Sequence, residues 1–316
     1  MKIAIFGTGA VGGYFGGLLS LAGHEVSFIA RGAHLEAIRQ RGLVLRYIQG
    51  DKQSEEIVKA PATDNPAEIG PVDYVLFGVK AYETVQAGQQ LQPLIGENTA
   101  IITIQNGLDS PQQLATLYGK DKIMTGAARI EITLGEPGVV IKYGPPRGAC
   151  ALSLAEMSGE RTERLEKLVE TFQSVEVATN LSTDPLRLLW TKYLVLAPTA
   201  GLLTVARAHG GEVYNHEPTK ELYPKLIEEA AKVASAEGIE FEAEALEKSK
   251  HPLFPADTAF KSSLQRDFEK GKPTEVEELI GAMVRRGKQY GIATPHFDTI
   301  YALLSLAAKV GYRYNG

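Results

Sequence analysis

KIAIFGTGAVGGYFGGLLSLAGHEVSFIAR, residues 2–31, decides the fold. Apolar residues 3–6 run straight into Gly7-Thr8-Gly9-Ala10-Val11-Gly12, a Leu-rich segment follows, and a second apolar run covers 26–30. Strand, glycine turn, helix, strand is the opening unit of a dinucleotide-binding fold. Gly7 permits the tight turn, Gly9 lets backbone N–H groups approach a pyrophosphate, and Gly12 lets the helix pack close to the strand. The helix N-terminus then offers N–H donors and partial positive charge to phosphates. Two blander readings compete, a structural glycine-rich turn and a secretory signal. Flanking strands and spacing oppose the first. Six glycines within 7–17, and no small-residue cleavage site before Arg31, oppose the second.

The end of the second strand selects the dinucleotide. An Asp or Glu there would accept from a ribose 2′-OH and repel a 2′-phosphate; this chain carries Ala30-Arg31-Gly32. The planar, permanently charged guanidinium of Arg31 suits a phosphate, so the expected cofactor is NADP(H). The alternative is a solvated strand-end arginine.

The 316 residues suffice for two cores, with 44% apolar and 22% charged residues, as in ordinary globular proteins. A net charge of −5 argues against a nucleic-acid-binding surface. The one cysteine, Cys150, excludes an intrachain disulfide and a cysteine-based zinc cluster, fits a reducing cytoplasm, and reads as a small buried hydrophobe. The six histidines show no metal-ligand spacing. No continuous apolar run approaches the roughly 18 residues that span a bilayer, so no membrane partner is expected.

Strands and helices alternate in the first half. After the second strand, 33–41 reads as a short helix, 74–77 as a third strand, and 99–104 as another, with a Gln-rich helix before it. Continuous apolar strands joined by helices predict a parallel sheet covered on both faces. Residues 123–154 carry shorter β-branched runs around Gly135-Glu136-Pro137-Gly138, expected as antiparallel hairpin strands added to the sheet edge. Residues 160–174 form an amphipathic helix, and 175–178 close the sheet. Beyond 180 only helical segments appear, at 186–206, 218–237, 242–249, 257–269, 274–290 and 296–310. The expected fold is α/β: a Rossmann-type parallel-sheet domain over 1–180, then an all-helical domain over 181–316. The charged run 240–250 reads as a solvated helix face, and the C-terminal helix with its 311–316 tail packs within the chain or against a second copy, which would make a homodimer.

Ligands in open parallel sheets lie beyond the carboxyl ends of the strands. Lys80 and Asn106 each follow an apolar strand directly, so both are site candidates rather than mere polar loop residues. In the helical half, Lys192 interrupts the otherwise apolar stretch 188–196. Burying such a charge is costly unless it snorkels or finds a partner, which makes it a candidate for catalysis. Ser262-Ser263-Leu264-Gln265-Arg266-Asp267 followed by Pro273-Thr274-Glu275 reads as two capped helix starts.

Taken in order, these residues resemble the ketopantoate reductase family, the 2-dehydropantoate 2-reductases of pantothenate and coenzyme A synthesis. The resemblance covers nearly the whole chain: the glycine turn at 7–12, Arg31, Val79-Lys80, Asn106-Gly107, Trp190-Thr191-Lys192, Ser262-Ser263 with Asp267, and Thr274-Glu275. It implies a Rossmann domain and a helical domain with the active site between them. Lys192 would be the general acid, Lys80 and Asn106 would hold the nicotinamide end and the substrate, and Ser263 would bind the substrate. Glu275 would hold the nicotinamide ribose and orient Lys192. These roles suit the chemistry: hydride transfer to the carbonyl carbon of a 2-oxo acid builds negative charge on oxygen, which a cation stabilises and then protonates.

The chain departs from the family at three positions. The asparagines usual four and eight residues after the lysine are here Leu196 and Ala200, and Asn-Gly-Glu is here Gly210-Gly211-Glu212. Each lost amide contact weakens binding of a polar oxo acid by about 1 kcal/mol or more, with Thr199 and Thr204 placed to compensate. The preferred substrate is therefore either ketopantoate or a more apolar 2-oxo acid. An NAD-dependent hydroxy-acid dehydrogenase is opposed by Arg31, and a non-catalytic NADP(H) sensor by Lys192, Ser263 and Glu275.

Overall fold

The computed structural model describes residues 1–251 and 258–311. Twelve strands are present among them: β1 Lys2–Phe6, β2 Glu25–Ile29, β3 Leu43–Gln49, β4 Lys52–Val58, β5 Ala62–Thr63, β6 Tyr74–Phe77, β7 Ala100–Thr103, β8 Ile123–Arg129, β9 Ile132–Leu134, β10 Val139–Tyr143, β11 Ala151–Glu156 and β12 Ala178–Leu181. Eight of them form one sheet in the order β12-β11-β8-β7-β6-β1-β2-β5. All neighbours are parallel except β8 and β11. The strands β1, β6 and β7 are buried almost throughout because helices cover both faces, which is why they read as unbroken apolar runs.

Helix α1 (Ala10–Leu21) packs its glycine side on this sheet: a Cβ at Gly16 would lie 2.5 Å from Ile5 Cγ1. Helices α2 (Gly32–Arg41), α3 (Thr84–Gly88), α4 (Ser110–Tyr118) and α5 (Glu163–Ser174) complete the layers, and Thr162 caps α5 by accepting from Leu165 N. The expected Gln-rich helix is broken into α3 and a 3₁₀ segment, Gln89–Leu94, which ends at Pro93-Leu94.

Two expectations for this half need correction. Residues 123–129 lie in the main sheet, parallel to β7 on one side and, as expected for this region, antiparallel to β11 (151–156) on the other, rather than in a hairpin with the next strand. The β9–β10 hairpin does turn at 135–138, but it joins a separate four-stranded sheet, β4-β3-β10-β9, rather than the edge of the main one. Its partner is a hairpin that the sequence reading passed over, β3–β4, whose exposed second strand carries few apolar residues to signal it. The last strand is 178–181, since Val175 and Glu176 complete the turn after α5.

The second half is helical: α6 Pro185–Ala206, α7 Gly210–Asn215, α8 Glu217–Ala236, α9 Ala243–Ser249, α10 Ser263–Glu269, α11 Ala282–Tyr290 and α12 Pro295–Val310. A π-helical turn, Glu277–Gly281, leads into α11. The expected helix 257–269 begins only at Ser263, since 258–262 are not helical; residue 257 and the tail 312–316 lie outside the described residues. By contacts the chain divides inside α6, with one unit of 1–105 and 109–189 and another of 106–108 and 190–316. Helix α6 also corrects the hydropathy reading. By length and composition it is apolar enough to cross a membrane, although it carries Arg187 and Lys192. Its most apolar window is 67% buried inside the protein, as in a core helix.

Candidate active site

The glycine turn is built by its neighbours. Thr8 N donates to Ile29 O at 3.0 Å and the Thr8 hydroxyl donates to the same carbonyl at 3.0 Å, tying the turn to the end of β2. Gly7 has φ +90°, and a Cβ there would lie 2.7 Å from Val79 N, so only glycine fits. A Cβ at Gly12 would lie 2.7 Å from Gly7 O. Gly9 is different. Its φ of −85° is open to any residue, and a Cβ would meet nothing closer than Gly7 O at 3.9 Å. The fold does not demand glycine here; the bare backbone leaves room for a ligand against Ala10 and Val11, at an α1 N-terminus with no side-chain cap and no acidic residue.

Arg31 is the N-cap residue of α2, exposed, and its Nη2 donates to Gln90 Oε1 at 2.9 Å. Lys80 follows β6 through Gly78 and Val79, the residues that abut Gly7, and caps the short 3₁₀ turn Ala81–Glu83. The first unit thus gathers the glycine turn, Arg31 and the Lys80 segment around the carboxyl ends of β1, β2 and β6. Gln90 was not marked by the sequence, because a half-buried glutamine far along the chain carries no local signal.

In the second unit, Lys192 is half-buried on α6 and its Nζ donates to Asn106 Oδ1 at 2.8 Å. The two residues are separated by 86 positions in sequence, and the charged donor makes this one of the stronger hydrogen-bond types. The helix beneath Lys192 is clamped on both sides. Trp190 is fully buried and donates from Nε1 to Glu237 Oε2 at 2.8 Å, while Arg286 Nε donates to Glu237 Oε1 at 3.0 Å. The Tyr193 hydroxyl donates to Leu279 O in the π-helical turn.

Glu275 is 3% exposed and its carbonyl accepts from Leu279 N at 3.0 Å, so it leads into that same turn. Ser263 is the half-buried first residue of α10, next to Ser262, whose hydroxyl accepts from Gln265 N at 3.1 Å and caps the helix. Gly107, with φ +92°, would bring a Cβ to 3.3 Å from Glu278 O, so the turn carrying Asn106 lies directly on the π-helical turn. Glu278 was not singled out in the sequence, where it is one of three glutamates in a row of four. Burial pushes its carboxyl above the ordinary carboxylate range, helped by Glu275 and Glu277 and opposed by its own backbone N–H and Arg285.

The positions that depart from the family are also fixed. Ala200 is buried. Gly210 N donates to Phe260 O and Gly211 N to Thr258 O, both at 2.9 Å, and Glu212 accepts from His209 N as the cap of α7. Thr199 and Thr204, expected to compensate, already have partners within the protein. Thr204 donates to Ala200 O at 2.6 Å, and Thr199 pairs with the Tyr223 hydroxyl at 3.1 Å.

Known proteins are similar to this chain over nearly its whole length. Residues 3–153 match the family model described as ketopantoate reductase PanE/ApbA, and residues 184–308 match its C-terminal counterpart. The chain is 30% identical to the uncharacterized oxidoreductase YkpB of Bacillus subtilis (strain 168), over 97% of this chain and 98% of that one. A crystal structure of 2-dehydropantoate 2-reductase from Geobacter metallireducens GS-15 is 30% identical with a TM-score of 0.86, covering 97% of this chain and all of that one (100%). The ternary structure of D-mandelate dehydrogenase with NADH and anilino(oxo)acetate is 25% identical with a TM-score of 0.89, covering 98% and 99%. The chain belongs to the ketopantoate reductase family of oxidoreductases.

Proposed function

We propose that this chain is an NADPH-dependent reductase of a 2-oxo acid, with 2-dehydropantoate (ketopantoate), reduced to pantoate for pantothenate and coenzyme A synthesis, as the first candidate substrate. The observation that carries the reading is the 2.8 Å bond from Lys192 Nζ to Asn106 Oδ1, an ammonium steadied by a neutral amide. The glycine turn would hold the pyrophosphate against Gly9, Ala10 and Val11, and Arg31, steadied by Gln90, would meet the 2′-phosphate. Lys80, Asn106 and Glu275 would hold the nicotinamide end. The bound cofactor supplies a hydride to the carbonyl carbon. Lys192 stabilises the charge that grows on the carbonyl oxygen and delivers a proton to it. Asn106 accepts from the ammonium and so keeps it from swinging away, and the Ser263 hydroxyl would bind the substrate. The free, buried Cys150 suits a reducing compartment, and we assign the enzyme to the cytoplasm.

A second reading, a more apolar 2-oxo acid, is favoured by Leu196, Ala200 and Gly210, where the family usually has asparagine. The likeness to D-mandelate dehydrogenase points the same way. Steady-state kinetics with NADPH and NADH over a panel of 2-oxo acids, from ketopantoate to aromatic members, tests both. A micromolar KM for ketopantoate above all others supports the first reading; a preference for bulkier apolar acids supports the second; no turnover with any member refutes the reductase reading.

A further inference from the structure

We propose that Glu278 is a further positioning residue for this site, acting through the turn that presents Asn106 to Lys192. It rests on the reading of Lys192 and Asn106 given above. Three observations converge on it. Gly107 lies close against Glu278: a Cβ there would sit tightly at 3.3 Å from Glu278 O and at 3.9 Å from Glu278 Cβ. Residue 278 sits in a π-helical turn, a rare backbone form that recurs at functional sites, and the next residue, Leu279, accepts the hydroxyl of Tyr193, the neighbour of Lys192. A closed circuit results: Lys192 to Asn106, Gly107 against Glu278, Leu279 to Tyr193, and back along α6. The carboxyl within this circuit is half-buried, and its Oε2 is shut off from solvent with no hydrogen-bond partner among the described residues.

An unsatisfied, enclosed carboxylate oxygen is costly as an anion and tolerable as a neutral acid. The groups around it add to that. Glu275 and Glu277 press the same way, Arg285 of α11 opposes them, and Tyr301 of α12 faces Glu277 with its hydroxyl 2.9 Å from Oε1. The raised titration of Glu278 follows from burial first, opposed by its own backbone N–H and helped by Glu275 and Glu277. As pH climbs past the ordinary carboxylate range, ionisation of Glu278 adds a negative charge to this turn. That charge repels an anionic 2-oxo acid and strains the contact with Gly107, so substrate affinity falls while the proton donor itself is untouched.

The test compares wild type with E278Q and E278L between about pH 5 and 9. In wild type the KM for the 2-oxo acid rises with pH by about fivefold or more, with kcat changing less. In E278Q the rise flattens to under about twofold, and E278L, which removes the polar group, loses about tenfold in kcat/KM that E278Q largely restores. A readout free of turnover is the melting temperature. The folded-state pKa of Glu278 lies above its unfolded value, so its stabilisation is present in acid and lost as pH rises through the folded pKa. E278Q therefore melts progressively higher than wild type as pH rises. A wild-type KM rise retained in E278Q, or a melting difference that does not grow with pH, overturns the proposal. If wild type reduces no 2-oxo acid while the melting difference persists, the reductase reading fails and the enclosed titrating carboxyl stands.

Discussion

The Lys192–Asn106 bond makes a quantitative prediction. Lys192→Met keeps most of the buried aliphatic stem and removes only the ammonium, so the fold should persist. Loss of a general acid is worth about 10²- to 10⁴-fold in rate, or roughly 2.7–5.5 kcal/mol of barrier. Asn106→Ala removes the 2.8 Å acceptor, a charge-assisted bond worth about 1.5–3 kcal/mol, and should cost about 10- to 100-fold in kcat/KM. The two losses are not independent, because the amide acts on the proton donor through that one contact. The double variant should therefore be only a few-fold worse than K192M alone, with a coupling energy of about 0.7–2 kcal/mol. The assay is kcat/KM for the best 2-oxo acid of the panel, alongside NADPH affinity read by the fluorescence of the bound nucleotide. K192M should bind NADPH within about threefold of wild type, since its lost contact is to the carbonyl oxygen. Strictly additive losses, or a K192M enzyme that keeps more than about a tenth of wild-type kcat/KM, refute the assignment.

Further predictions follow from other parts of the site. Gly7→Ala should be destabilised by about 1–3 kcal/mol, because φ is +90° and the new Cβ lies 2.7 Å from Val79 N; Gly9→Ala should melt near wild type yet bind NADPH markedly more weakly, and equal melting losses in the two variants would count against an open cradle at Gly9. Arg31→Ala should weaken NADPH by about tenfold and NADH far less, with Gln90→Leu giving a smaller loss in the same direction; an unchanged NADPH-to-NADH affinity ratio in R31A removes the case for NADP(H). In the first unit Arg147 donates to both oxygens of Glu56, at 2.7 and 2.8 Å, and holds its carboxyl below the usual range. That stabilisation is present above the unfolded pKa and lost as pH falls through the folded one, so Glu56→Gln should cost about 1 kcal/mol at neutral pH, discounted for partial exposure, and nothing in strong acid. A pH-independent melting difference would contradict this.

Residues 2–31 by themselves specified the first strand–turn–helix–strand, because glycine spacing and apolar period are local properties. Lys192 was visible for a related reason: a charge in an apolar helix breaks a pattern. The long helices α6, α8 and α12 were legible within a residue or two, as strongly periodic segments are. The hairpin β3–β4 was not, since β4 is mostly exposed and polar and becomes a strand only by pairing with β3. Nor could the sequence assign β9 and β10 to a second sheet; the parallel pairing of β10 with β3 joins segments nearly a hundred residues apart.

What the sequence alone determined is therefore the glycine turn between strand and helix, the two classes of architecture and the position of the candidate proton donor. Only the tertiary structure decided what surrounds them: the acceptor for Lys192 86 positions away, the Glu237 clamp on Trp190, the tether of Arg31 to Gln90, and the enclosed carboxyl of Glu278 against Gly107. The physical reason is one of range. Backbone conformation and amphipathic period are written within a turn or two of chain, whereas a hydrogen-bond partner or a desolvated carboxyl is created by whichever distant segments the fold brings together.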